Sequence, residues 1–275
     1  AWKAVWTNSE RSRSSERSKF ISPALQQAIE IGVAEAEEAT FGRVKWIDIE
    51  DNLTDDRKAD MVLVRDQLLE DMELNNVPDS ISEVYLNAAI YGTGIGTIVV
   101  SEETELQTDE MGFTDEVTYT KCELEAISPD DFVIDPEART VDEALGCAHI
   151  VVRPIHTVEK KQAAGIYKAV PLGDYADDRD TSSKGEFKSD NVSNKCELIE
   201  YHGYVPTYLL ENGDSEPDSF KMTEAIVTIA NRQSLLKKVE NPFTHKDRSI
   251  MAFQWDRVPN RFWGRGIAEK GINSQ

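Results

Sequence analysis

Tyr91-Gly92-Thr93-Gly94-Ile95-Gly96-Thr97-Ile98-Val99-Val100 is where the period of the chain changes. Before it, apolar residues recur at helical spacing; after it, they alternate with polar ones as strands do. Helices first and strands afterwards make the fold class α+β. The glycines themselves look like a phosphate loop, but the order is wrong. A dinucleotide fingerprint runs strand, G-x-G-x-x-G, helix. Here helix precedes strand, the spacing is G-x-G-x-G, and no G-K-[ST] follows. The glycines are therefore expected to stop a helix and let the chain swing into a strand.

Upstream, residues 22–40 read as helix, with Ser22 as N-cap, Pro23 in the first turn, Leu25, Ile29, Val33 and Ala36 as the stripe, and Gly42 as the stop. Val44–Ile49 alternates and reads as a short strand. A second helix is expected from Thr54 to about Leu74 on a stripe of Met61, Val64, Leu68 and Met72. Pro78-Asp79-Ser80 then breaks and recaps the chain, and a third helix runs from about Ser80 to Ile90.

Downstream, Gly96–Val100 and Val117–Ile127 read as a hairpin around a turn at 108–114. Short strands follow at Phe132–Ile134 and Ala148–Val152, then a helix from Thr157, its cap, to Tyr167. Four more strands are expected, at Glu197–Val205, Glu224–Ala230, Ser234–Val239 and Ser249–Trp255, the middle two joined by Asn231-Arg232-Gln233. No repeat of fixed period is present. The expected organisation is a helical part at 1–95, an α/β part at 96–172, a flexible loop or linker at 173–195, and an antiparallel strand segment at 196–275.

The chain has 275 residues, 40% of them hydrophobic, with five Trp, enough for a core, so wholesale disorder is excluded. No apolar run approaches the length of a membrane span. The net charge of −21 argues against a basic reader of nucleic acid. That charge is uneven: residues 1–25 carry a net +3, residues 101–146 a net −13 and residues 231–275 a net +5. Cys122, Cys147 and Cys196 are odd in number and widely spaced, so reduced and mostly buried thiols are expected rather than disulfides or a zinc site. The start, Ala1-Trp2-Lys3, shows no signal peptide and reads as lying inside a longer gene product.

The search for chemistry finds no active site. Asp130, Asp131, Asp135 and Glu137 could pair for acid–base or metal chemistry, but Ser128-Pro129-Asp130 and Asp135-Pro136-Glu137 have turn composition. Pro129-Asp130 with Glu159-Lys160-Lys161 imitates the P-D…[DE]-x-K pattern of metal-dependent nucleases, in which carboxylates hold a divalent ion and a lysine activates water. That pattern needs Glu159 and Lys161 on a strand, and they read as helix. His149, two residues after Cys147, has no second ligand pair; His156, His202 and His245 are equally isolated. No catalytic residue, metal or cofactor is expected. At the C-terminal end, Arg257, Arg261 and Arg265 interleave with Trp255, Phe262 and Trp263. Such a pattern can stack on bases and bind phosphates, or form a packed corner at a strand's exit; the physics favours the corner.

The order of these segments carries a resemblance. Asn241-Pro242-Phe243, Phe253-Gln254-Trp255-Asp256-Arg257-Val258-Pro259 and Phe262-Trp263-Gly264-Arg265-Gly266-Ile267 resemble portal proteins, the head-to-tail connectors of tailed bacteriophages, the short-tailed ones above all. Arg17–Pro23 with the helix ending at Phe41-Gly42 resembles the family's early wing helix. Tyr91-Gly92-Thr93-Gly94 is similar to its helix-to-strand junction, and Ser128–Pro136 to one of its turns. The resemblance spans residues 11–275 and marks Gly92, Gly94, Pro129, Asp135, Pro136, Trp255, Pro259, Trp263, Gly264 and Gly266 as structural positions. It implies a homo-oligomeric ring, usually of twelve copies, at one capsid vertex of the virion, assembled in the host cytoplasm. Double-stranded DNA would pass through it without tight or sequence-specific binding, and terminase, a head-completion or tail adaptor and the major capsid protein would be its partners. No enzymatic activity and no membrane are implied. The chain would be the N-terminal wing portion, with a stem helix beginning after Gly266-Ile267, and the acidic segment could repel the phosphates of sliding DNA. The alternatives are a metal-dependent nuclease and a non-viral scaffolding or adaptor protein.

Overall fold

The computed structural model describes residues 23–49, 58–108, 114–173, 195–211, 220–243 and 247–273. Helices and antiparallel sheets are both present, as the change of period requires, and the fold is α+β. The chain forms two compact units: one from residues 1–129 and 249–275, the other from 130–248. The boundary expected at 95/96 falls inside a strand, and the strand segment expected at 196–275 is divided between the units. The loop expected at 173–195 lies, apart from its two ends, outside the described residues.

In the first unit, α1 (Ala24–Phe41), α2 (Lys58–Leu74) and α3 (Val77–Tyr91) precede the hairpin β1 (Thr93–Thr108) and β2 (Thr114–Ile127). Ile29 and Val33 of α1 bury against Ala89 of α3, with Leu25, Tyr85, Leu86 and Ile90 around them. Burying each such aliphatic side chain contributes about 1.5–3 kcal/mol. The Thr40 and Tyr85 hydroxyls, 3.0 Å apart, link the same two helices. Ser22, the expected cap of α1, is outside the described residues, and Pro23 occupies the N-cap.

Three expectations fail here. Val44–Ile49 forms no strand; it is held to α2 by ion pairs, Lys45 to Asp66 at 2.8 Å and Arg65 to Asp48 at 3.3 Å. Within α2, Val64 and Leu68 are exposed, and Leu69 is the buried residue with Met61, Arg65 and Met72 half-buried beside it. The apolar stripe of α2 is wider than the face its neighbours cover. Pro78 does not break a helix: it sits in the first turn of α3, where a missing N–H costs no helical bond.

The sheet of this unit has the order β2-β1-β8, where β8 (Ile250–Gln254) arrives from more than 150 residues downstream. A last helix, α6 (Ile267–Asn273), follows it.

The second unit is an antiparallel five-stranded sheet in the order β3-β4-β5-β6-β7: β3 (Phe132–Ile134), β4 (Gly146–Pro154), β5 (Lys195–Pro206), β6 (Met222–Ala230) and β7 (Ser234–Glu240). Helix α4 (Ile155–Ala163) starts after Pro154, two residues before the expected cap Thr157, because Pro154 itself takes the extended N-cap conformation. Val158 of α4 and Tyr167 cover Cys196, Leu198, Ala230 and Leu236. A single turn, α5 (Thr207–Leu210), leaves β5. The β6–β7 turn falls where expected, with Asn231 and Arg232 both at positive φ, 47° and 59°, which matches the twist of a tight hairpin. The Asn231 carboxamide accepts from the Glu197 N–H at 2.9 Å and donates to the Leu172 and Gly173 carbonyls, so one side chain fixes three segments.

Candidate functional site

The positions marked by resemblance meet, for the most part, at one junction in the first unit. Gly92 ends α3 with φ 98° while its N–H still bonds the Ala88 carbonyl at 2.8 Å. Its carbonyl accepts the Trp255 N–H at 3.0 Å, which places the residues after β8 directly beside it. A Cβ on Gly92 would collide with the Gly264 carbonyl, and a Cβ on Gly264 would lie 2.5 Å from the Gly92 oxygen. The two backbones therefore touch, which only glycine at both positions allows.

Thr93 locks the contact. It is fully buried; its hydroxyl accepts the Gly264 N–H at 2.8 Å and donates to the Phe262 carbonyl at 3.3 Å. Gln254 donates to the Arg261 and Phe262 carbonyls, and the Arg265 N–H reaches the Asp256 carbonyl at 2.9 Å. Phe262 is buried, edge-on to the half-exposed Trp263 at 5.0 Å, and Trp255 packs into the α1–α3 core together with Ile267 of α6. Gly266 then passes against the carbonyls of Ala89 and Ile90, where a Cβ would lie 2.6–2.7 Å away. The corner is packed, and it sets where α6 begins. A Lys270–Asp256 pair at 2.7 Å ties α6 back to the corner and holds the Asp256 carboxyl below its usual range.

The G-x-G-x-G spacing has a second cause. In β1, Gly94 and Gly96 lie on the face crossed by α3: a Cβ on Gly94 would strike the Val84 carbonyl, and one on Gly96 would sit 3.4 Å from the Val84 side chain. A period of two is what a strand needs to clear one face. Phe253, opposite Gly94 in β8, fills part of the space and packs on Tyr85 at 5.1 Å.

Gly92, Gly94, Trp255, Trp263, Gly264 and Gly266 are thus brought together, and Pro259 is exposed on the connecting loop. Pro129, Asp135 and Pro136 are elsewhere. Pro129 opens a 3-10 turn, and the Asp135 carboxylate accepts the Glu137 N–H at 3.1 Å, a self-contained Asx turn. Sequence reasoning missed Thr93 and Gln254. Their only signal is position, a hydroxyl between two glycines and an amide at a strand's end.

Glu159 and Lys161 lie on α4, both exposed, and Lys161 sits 5.4 Å over the Tyr167 ring. The nuclease pattern wants them on a strand. Among the described residues no group of three His, Cys, Asp or Glu could hold a metal ion, and no helix is long and apolar enough to cross a membrane. Cys147 and Cys196 are buried and free, Cys122 is exposed. Burial pushes the Cys147 thiol up to about 11, and burial together with Arg248 pushes His202 down to about 4, so both are neutral at pH 7. Arg248 pairs with buried Glu224 at 2.7 Å and donates to the Val141 and Ala144 carbonyls, pinning the 135–145 loop. No family model and no curated protein matches the chain.

Proposed function

We propose that the chain is a subunit of a phage portal ring, a conduit for double-stranded DNA at one capsid vertex. One observation carries the reading: the two segments richest in the resemblance, 91–100 and 253–267, are folded onto one another. A subunit that passes force or torque from a wing into a following helix needs such a rigid corner, and α6 starts immediately after it. The arrangement does not call for an active site, because the work of a conduit is to assemble and to stay out of the way of its cargo. The net −13 of residues 101–146 suits that role, since carboxylates near the DNA path repel phosphates and keep the duplex from sticking. Its partners on this reading are other copies of itself, a terminase, a tail adaptor and the capsid protein.

Electron microscopy and native mass measurement of the full-length gene product test the proposal. A ring of about twelve copies with a central hole supports it. Monomers or dimers at high protein concentration sink it.

A further inference from the structure

Among the described residues, both edges of the three-stranded sheet of the first unit are open. In the β1–β8 ladder, Ile98 N–H bonds the Ser249 carbonyl at 2.9 Å and Trp255 N–H bonds the Gly92 carbonyl at 3.0 Å. Backbone groups of one residue point the same way in an antiparallel ladder and alternate along the strand. Met251 and Phe253 therefore face β1, and Ile250, Ala252 and Gln254 turn their N–H and C=O outward. The same alternation places the backbone of Cys122, Leu124 and Ala126 on the outer edge of β2. Among the described residues no strand pairs with either edge. β8 also lacks the usual protections: Ile250-Met251-Ala252-Phe253-Gln254 holds no charge and no proline, and Met251 and Phe253 are 47% and 41% exposed.

We infer that the β8 edge of one copy pairs with the β2 edge of the next, extending the sheet from subunit to subunit. The inference rests on the ring reading for its occupant, a second copy of this chain. Both β2 and β8 run antiparallel to β1, so they are parallel to each other, and a modest rotation between copies brings them together as parallel neighbours. Such a head-to-tail contact uses two different surfaces and repeats around a ring or along a filament. Charge selects this pairing over like with like. β2 carries four acids, Asp115, Glu116, Glu123 and Glu125, against one base, Lys121, whereas residues 250–270 carry four bases, Arg257, Arg261, Arg265 and Lys270, against two acids. Two β2 edges repel; β2 and the flank of β8 attract.

Cross-linking with a flexible bis-maleimide decides it. Glu125→Cys and Ala252→Cys are placed in separate, co-expressed copies of the full chain on a Cys122→Ser background, because in one copy only β1 lies between the two positions and the reagent would link them internally; the native Cys147 and Cys196 stay buried. The mixture is expected to give linked dimers, and either variant alone on that background no linked product. Dimers from the Ala252→Cys variant alone would mean β8 pairs with β8 and would overturn the inference. Rings visible by microscopy with no linked dimers from the mixture would overturn the edge contact and leave the ring reading standing. Monomers throughout would overturn both. Ala252→Pro removes only an outward N–H, so association should weaken about tenfold while the melting temperature of the isolated subunit holds. Unchanged association would count against the contact.

Discussion

The two sheets differ in the range of their pairings. The five-stranded sheet is a meander from β3 to β7, and its tight turn, Asn231-Arg232-Gln233, puts Asn231 and Arg232 at the positive φ that such a hairpin needs. The three-stranded sheet joins a local hairpin to a strand from the far end of the chain, and glycines, locked by the Thr93 and Gln254 side chains, make the seam. Loss of a side chain in the first leaves a cavity or an unpaired group. Gain of a side chain in the second has no room at all. The comparison teaches that a local pairing can be set by its turn, whereas a pairing with a distant strand needs a seam built to receive it.

The largest effect should come from Gly92→Val. The added atoms meet the Gly264 backbone and φ 98° disfavours any β-branched residue, so a loss of at least about 3 kcal/mol is expected. Hydrogen exchange should show protection lost in β1 and β8 while β5 and β6 keep theirs. Simultaneous loss in both would show the units to be one cooperative block and break the comparison.

Arg248→Ala is the counterpart in the second unit. It strands the buried Glu224 carboxylate and frees the Val141 and Ala144 carbonyls, for about 3–5 kcal/mol by chemical denaturation. Arg248→Met with Glu224→Leu should recover much of that, since no buried charge is then left unpaired.

The pH response should come from the second unit as well. His202 is neutral and held at about 4 by burial and by Arg248, His149 and Lys237, against 6.5 in the unfolded chain. Stability is then full above pH 6.5 and falls as the pH drops toward 4, because only the unfolded chain takes up the proton, by about 3 kcal/mol in all. His202→Leu should flatten that part of a stability–pH profile; an unchanged slope would assign it to carboxylates instead.

Asn260→Gly should have the smallest effect. Asn260 sits at φ 61° on the exposed loop that leads into the glycine corner. Relief of that conformation is offset by the greater freedom of glycine when unfolded, and the melting temperature should move by no more than about 2 °C. A large rise would mean the corner stores strain.

Legibility followed contact range. Phe132–Ile134, Glu224–Ala230 and Ser234–Val239 were readable because alternation and turn composition are local signals. Val44–Ile49 alternates equally well and joins no strand among the described residues, since a strand exists only where a partner offers its ladder. The stripe on α2 misled for a related reason. Val64 and Leu68 are apolar, but the neighbouring helix reaches only the side of Leu69.

The sequence by itself determined the α+β class, the point at Gly92 where helix turns to strand, the tight turn at Asn231 and the uneven charge, all of which depend on neighbours within a few residues. Only the tertiary structure decided that Gly92 and Gly264 touch, that Thr93 joins them, and that β8 leaves its sequence neighbours for β1. A glycine records that space is needed and not which backbone will occupy it; that partner lies more than 170 residues away and exists only once the chain is folded.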